Sequence, residues 1–85
     1  MNIHFAESFK KDFRHLPLGV QKLFDEKLTL FARNSRHPSL RVKKIQGYEN
    51  RWEGSINLSY RFTFEIHDDH YLLRRIGPHD ILKTP

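Results

Sequence analysis

The sequence predicts an α+β domain: a small antiparallel sheet packed on one face by a helical hairpin, in the order strand, helix, helix, strand, strand, strand. Residues 57–66 (NLSYRFTFEI) alternate strictly. Leu58, Tyr60, Phe62, Phe64 and Ile66 fall on one side and Asn57, Ser59, Arg61, Thr63 and Glu65 on the other, as in a strand with one buried face. Two earlier stretches carry apolar residues at helical spacing instead. A chain of 85 residues without cysteine has room for one core, held by packing alone, so residues 1–85 form a single domain.

Taken in order, Asn2-Ile3-His4-Phe5 alternates polar and apolar, predicting a short strand that contributes Ile3 and Phe5 to the core and turns His4 outward. From Ser8, Phe9, Phe13 and Leu16 share one helical face, opposite Lys10, Lys11, Asp12 and Arg14. Leu16-Pro17-Leu18-Gly19 breaks this helix, because a residue before proline is pushed out of the helical region. Pro17 can open a second, longer helix, whose stripe is Val20, Leu23, Phe24, Leu28 and Phe31. Pro38 forbids its continuation, and a basic loop follows, tethered by Leu40, Val42 and Ile45. Arg51–Ser55 predicts another strand, with Gly54-Ser55 marking a bulge or a close backbone approach. After the alternating strand, Asp68-Asp69 turns the chain into a final run, Tyr71 to Ile76, ending in Gly77-Pro78-His79-Asp80. A two-residue turn would set Phe62 against Arg75. A shift by one residue places Arg75 on the face of Arg61 and Ile76 in the core, at the expense of exposing Leu73, and is the preferred register.

Fifteen Lys and Arg against ten Asp and Glu give a net charge of +5. Arg33, Arg36, Arg41, Lys43 and Lys44 follow one another without an intervening acid. Such a run suits a polyanion or an acidic partner, and equally describes a solvated basic loop. No 18 consecutive apolar residues occur and the N-terminus has no apolar leader core, so a soluble, cytoplasmic protein is expected.

The residues suited to chemistry are few. Cleaving RNA without a metal needs a base for the 2′-OH proton, an acid for the departing 5′ oxygen and cations around the phosphate. His79 can carry a proton, since imidazole changes charge near neutral pH, and Arg61 can hold a phosphate through its fork. Asp80 can orient a histidine or act as a base, while His79-Asp80 can equally be a turn cap after Gly77-Pro78. His67-Asp68-Asp69-His70 has metal-binding residue types, but a tight turn and the lack of a further ligand argue against a metal. Tyr60, Phe62 and Phe64 read as core, leaving Tyr48 and Trp52 freer to stack on bases.

KKIQG before the second strand, SYRFTFEI in the third and LLRRIGPHDIL in the fourth resemble the RelE/ParE superfamily of bacterial toxins, most closely the RelE/YafQ mRNA interferase branch. The resemblance covers nearly the whole chain. It implies a RelE-like toxin of a type II toxin-antitoxin system that cleaves mRNA on the ribosome and is neutralised by a co-expressed antitoxin; the net positive charge adds the expectation of an acidic antitoxin segment, and no cofactor is expected. It makes His79 and Arg61 catalytic and Lys43, Lys44 and Arg75 ligands for RNA; Asp80, beside His79, and Arg41, in the same basic run, join these sets from their residue types. Trp52 and Gly54 stand where RelE-like toxins place lysines, Ser55 and Ser59 where YafQ-like toxins carry a histidine and an aspartate, and Leu82 near a terminal tyrosine. No general base is assigned on this reading. The alternatives are a ParE-like toxin that inhibits DNA gyrase without cutting RNA, or a catalytically degenerate relative.

Overall fold

The computed structural model describes residues 1–85. Strand β1 (Asn2–Phe5) leads into helices α1 (Glu7–Arg14) and α2 (Leu18–Arg33), followed by β2 (Lys43–Lys44), β3 (Trp52–Ser55), β4 (Tyr60–Ile66) and β5 (His70–Pro78). Single 3-10 turns occupy Pro38–Leu40 and His79–Lys83. The helices begin and end where the proline signals place them. Pro17 stands at the α2 N-cap, and Gln21 Nε2 donates to the carbonyls of Phe13 at 2.8 Å and Leu16 at 3.3 Å, tying the connection to both helices.

The five strands form one sheet in the order β1-β5-β4-β3-β2. Its β2 to β5 portion is antiparallel as expected, but β1 joins β5 in parallel, from Asn2↔His70 to Phe5↔Leu73, so the sheet is mixed. The helical hairpin is the crossover that makes this possible: a parallel neighbour needs a long connection, and α1 and α2 supply it. The basic loop also differs from expectation, because Lys43 and Lys44 pair with Glu53 and Trp52 as an edge strand.

Between α-helices and sheet lies an aromatic core. Phe24, Phe31, Phe62 and Phe64 are each at most 2% exposed, with Phe31 edge-on to Phe62 at 5.5 Å and to Phe64 at 5.0 Å. Gly54 is required here: a Cβ at this position would lie 2.4 Å from Cζ of Phe62, whose ring crosses the β3 backbone. The hairpin uses both registers: next to the Asp68-Asp69 turn, Ile66 opposite Tyr71 to Phe64 opposite Leu73 keep the two-residue-turn pairing, and beyond it Thr63 opposite Arg75 and Phe62 opposite Ile76 follow the preferred, shifted one. Its expected penalty is absent. Between Thr63 and Phe64 the pairing jumps from Arg75 to Leu73, leaving Arg74 as a bulged residue, so that Leu73 (0% exposed) and Ile76 (1%) both reach the core.

Two apolar residues leave the core. Phe5 is partly exposed and leans on Phe9, and Leu58 is not in β4 at all. Asn57 Oδ1 accepts from the amides of Ser59 and Tyr60, both at 2.8 Å, closing a turn that ends the alternation before Leu58 and leaves it 83% exposed. The second face of the sheet is partly covered by the C-terminal segment: Thr63 Oγ1 and Arg74 Nε both donate to the Pro85 carbonyl, and Ile81 packs over Gly77.

Candidate active site

On the sheet face away from the helices, at the end where β3 stops and β4 starts, lies a cleft of about 310 Å³. Arg41, Lys43, Glu53, Ser55, Arg61 and His79 line it, and none of them is hydrophobic. Strand alternation explains the gathering. Glu53 and Ser55 point to one side of β3, with Lys43 directly across from Glu53 and Arg61 across from Ser55. His79 comes from a different element, the turn after β5, which Ile81 anchors on Gly77 opposite Arg61.

Arg61 is held firmly. Its Nη1 donates to the Asn57 carbonyl at 2.7 Å and the Tyr60 carbonyl at 3.1 Å, and its Nε lies 3.8 Å from Glu53 Oε1. Both side chains are largely buried, with Arg61 17% and Glu53 10% exposed. A carboxylate is retained at such a depth only with a counter-charge beside it. Arg41 has a left-handed backbone (φ 47°), which a non-glycine residue adopts at a cost of about 1–2 kcal/mol. The preceding turn enforces it: His37 Nδ1 accepts from the Ser39 amide, the Arg41 amide donates to the Pro38 carbonyl, and Leu40 is fully buried.

The expected site residues thus divide. His79, Arg61, Arg41 and Lys43 converge on the cleft. Lys44, one residue on, projects to the opposite side of β2 with Trp52, since neighbouring strand residues face opposite ways. Arg75 is engaged elsewhere. Its Nε donates to Asp12 Oδ2 at 2.7 Å and its Nη1 to Thr84, while Asp12 also accepts from the Ile76 amide beyond the end of β1. Hydrogen bonding to Asp12 raises the Arg75 pKa above the ordinary guanidinium value, partly opposed by burial. Asp80 is exposed and does not line the cleft; its charge instead favours the cation at Arg75. Trp52 is half-buried on the helix side, with Arg36 over its ring at 5.9 Å.

Sequence reasoning passed over Glu53: alternation in W-E-G-S puts Glu53 on one face with Ser55, but its meeting with Arg61 comes from the β3–β4 register. At the far end of the same sheet face His67 and His70 stack at 4.7 Å, and His4 stacks on His70 at 4.6 Å. His67 bonds Glu65 and His70 bonds Asp69, each at 2.7 Å, and the rings lie face to face rather than aimed at a common point. Glu65 also pairs with Arg51 and Arg74. Burial raises its pKa, but the His67 hydrogen bond and the two arginines together bring it below the usual glutamate value.

The arrangement defines a class: a small α+β domain with a polar cleft lined by one carboxylate, one imidazole and a firmly held arginine. No family model matches the chain. It is 28% identical over 82 residues to toxin RelE3 of Methanocaldococcus jannaschii, covering 89% of this chain and 88% of that protein. The toxin in the RelB-RelE antitoxin-toxin complex from Methanococcus jannaschii superposes with a TM-score of 0.72 at 26% identity, over 95% of both chains. YafQ in the Escherichia coli DinJ-YafQ complex shares the fold at 17% identity, with a TM-score of 0.74 over 95% of this chain and 96% of that one. Together these likenesses in sequence and fold support a toxin of the RelE/ParE superfamily, near RelE and YafQ.

Proposed function

We propose that the protein is the toxin of a type II toxin-antitoxin system and acts as a ribosome-dependent mRNA endoribonuclease in the cytoplasm. The observation that carries this reading is the convergence of Glu53, Arg61 and His79 with Arg41 and Lys43 in one polar cleft. Glu53, the only carboxylate there, takes the proton from the 2′-OH, and the O2′ forms a bond to phosphorus. The bond from phosphorus to the 5′ oxygen breaks, and the His79 imidazolium delivers a proton to that oxygen, leaving a 2′,3′-cyclic phosphate. Arg61 meets the charge that builds on the phosphoryl oxygens, and its two carbonyl partners fix it in place beforehand. Lys43 and Arg41 raise the local attraction for the RNA backbone. No step uses a metal ion or cofactor.

Arg75, Lys44 and Asp80 stand outside this mechanism. Lys44, on the exposed edge strand, is assigned to ribosomal RNA in this reading, while Arg75 and Asp80 serve the packing of α1 and the C-terminal segment. The cognate antitoxin is the expected protein partner, its acidic segment matched to the net charge of +5. Mapping mRNA ends on programmed ribosomes tests the reading: wild type cleaves in the presence of a chelator and His79→Ala does not. Equal cleavage by both, or intact mRNA with a block in gyrase supercoiling, overturns it in favour of a non-nuclease toxin.

A further inference from the structure

Next to the proposed active cleft lies a second one of about 240 Å³, and the two share Arg41 and Ser55. Its other walls come from α2 through Lys27, from the Pro38–Leu40 turn through Ser39, and from the β3–β4 turn through Asn57 and Leu58. None of its lining residues is acidic, so Lys27 and Arg41 leave a net positive site. Several features point to a nucleotide. Arg41 stands at the boundary of both clefts and is fixed there by its left-handed backbone. Asn57 spends its side-chain oxygen on the Ser59 and Tyr60 amides, which orients its Nδ2 amino group as a donor without an internal partner. Leu58, 83% exposed, is an apolar surface for a base.

We infer that this second cleft is a subsite for the nucleotide adjoining the scissile phosphate: Arg41 and Lys27 hold its phosphate, and Leu58 and the Asn57 amide meet its base. The inference rests on the nuclease reading for the word scissile, but the site itself is a prediction about RNA binding. The β3–β4 turn also ties the subsite to the chemistry, because the Asn57 carbonyl is the 2.7 Å acceptor that positions Arg61. A base seated on Leu58 and Asn57 thereby presses on the arginine that holds the reacting phosphate, and base preference at this position becomes preference in cleavage.

The test is an NMR titration of the whole protein with two probes, inorganic phosphate and a 2′-fluoro tri-adenylate that cannot be cleaved. Phosphate should shift Arg61 and His79 signals, and Arg41 where the two clefts meet, but leave the Asn57 side-chain amide and the Leu58 methyls unmoved. The trinucleotide should also shift the Asn57 side-chain amide and the Leu58 methyls, and Lys27→Ala should weaken it about tenfold while leaving the phosphate response of Arg61 and His79 unchanged, with a salt dependence shallower by about one ion. Leu58→Ser should keep the fold and redistribute the cleaved positions on ribosome-bound mRNA. Trinucleotide shifts confined to Arg41, Arg61 and His79 overturn the subsite while leaving the nuclease reading intact. Shifts at Asn57 and Leu58 together with failed ribosomal cleavage uphold the subsite and remove the nuclease. No shift at either cleft overturns the subsite.

Discussion

Replacing Glu53 with glutamine keeps the shape of the side chain and removes its charge, and the structure predicts effects of opposite sign on cleavage and on binding. At 3.8 Å and an effective dielectric of about 20, the gross attraction between Glu53 and Arg61 is roughly 4 kcal/mol. Most of it offsets the desolvation of two largely buried ions, so the net coupling is much smaller. A phosphate entering the cleft must compete with Glu53 for Arg61. In Glu53→Gln that competitor is neutral, and an uncleavable RNA should bind more tightly, by up to about tenfold, or about 1.4 kcal/mol. Cleavage should fall by about 10²–10⁴, the usual contribution of a general base and equal to about 3–5 kcal/mol in the barrier. Single-turnover cleavage on programmed ribosomes and fluorescence-anisotropy binding give the two numbers, with circular dichroism melting as the control for folding. Wild-type cleavage by Glu53→Gln refutes the assignment outright. Parallel loss of binding, cleavage and melting temperature would show that Glu53 merely props up Arg61.

Further expectations concern the framework. Gly54→Ala forces a methyl group into the Phe62 ring and should cost about 1–3 kcal/mol, read as a lower denaturation midpoint at unchanged m-value. Asp12→Ala leaves the half-buried Arg75 cation and the Ile76 amide without their acceptor and should cost about 2–3 kcal/mol in urea unfolding; cleavage by the folded fraction should be retained, because Arg75 lies outside the cleft. Glu65 titrates below its ordinary value in the folded protein, so its contribution is present above the unfolded glutamate pKa and fades as pH falls through the lower folded value. Glu65→Gln should therefore lower stability at pH 7 by about 1 kcal/mol, after allowance for solvent screening, and by progressively less on acidification below pH ~4.5. An unfolding series across pH 3–7 checks this, and a pH-independent difference contradicts it.

Local chemistry settled much of this protein without tertiary information. The alternation of Tyr60, Phe62, Phe64 and Ile66 defines β4, and helical spacing together with Pro17 and Pro38 bounds α2. The same alternation puts Arg61 on the face opposite the aromatic core, and it could have separated Lys43 from Lys44, since residues adjacent in a strand cannot share a face. Other features depend on contacts between distant parts of the chain. Parallel pairing of β1 rests on where the helical crossover returns, and the Arg74 bulge on the demand of Leu73 and Ile76 for the same core. Asp12, far from β5 in sequence, claims Arg75 because α1 runs past the free edge of that strand. Sequence alone made Arg61 and His79 candidates by their residue types. Only the fold decided that Glu53 accompanies them, because Glu53 and Arg61 meet through cross-strand register, and His79 reaches the same cleft only after Ile81 seats the last turn on Gly77.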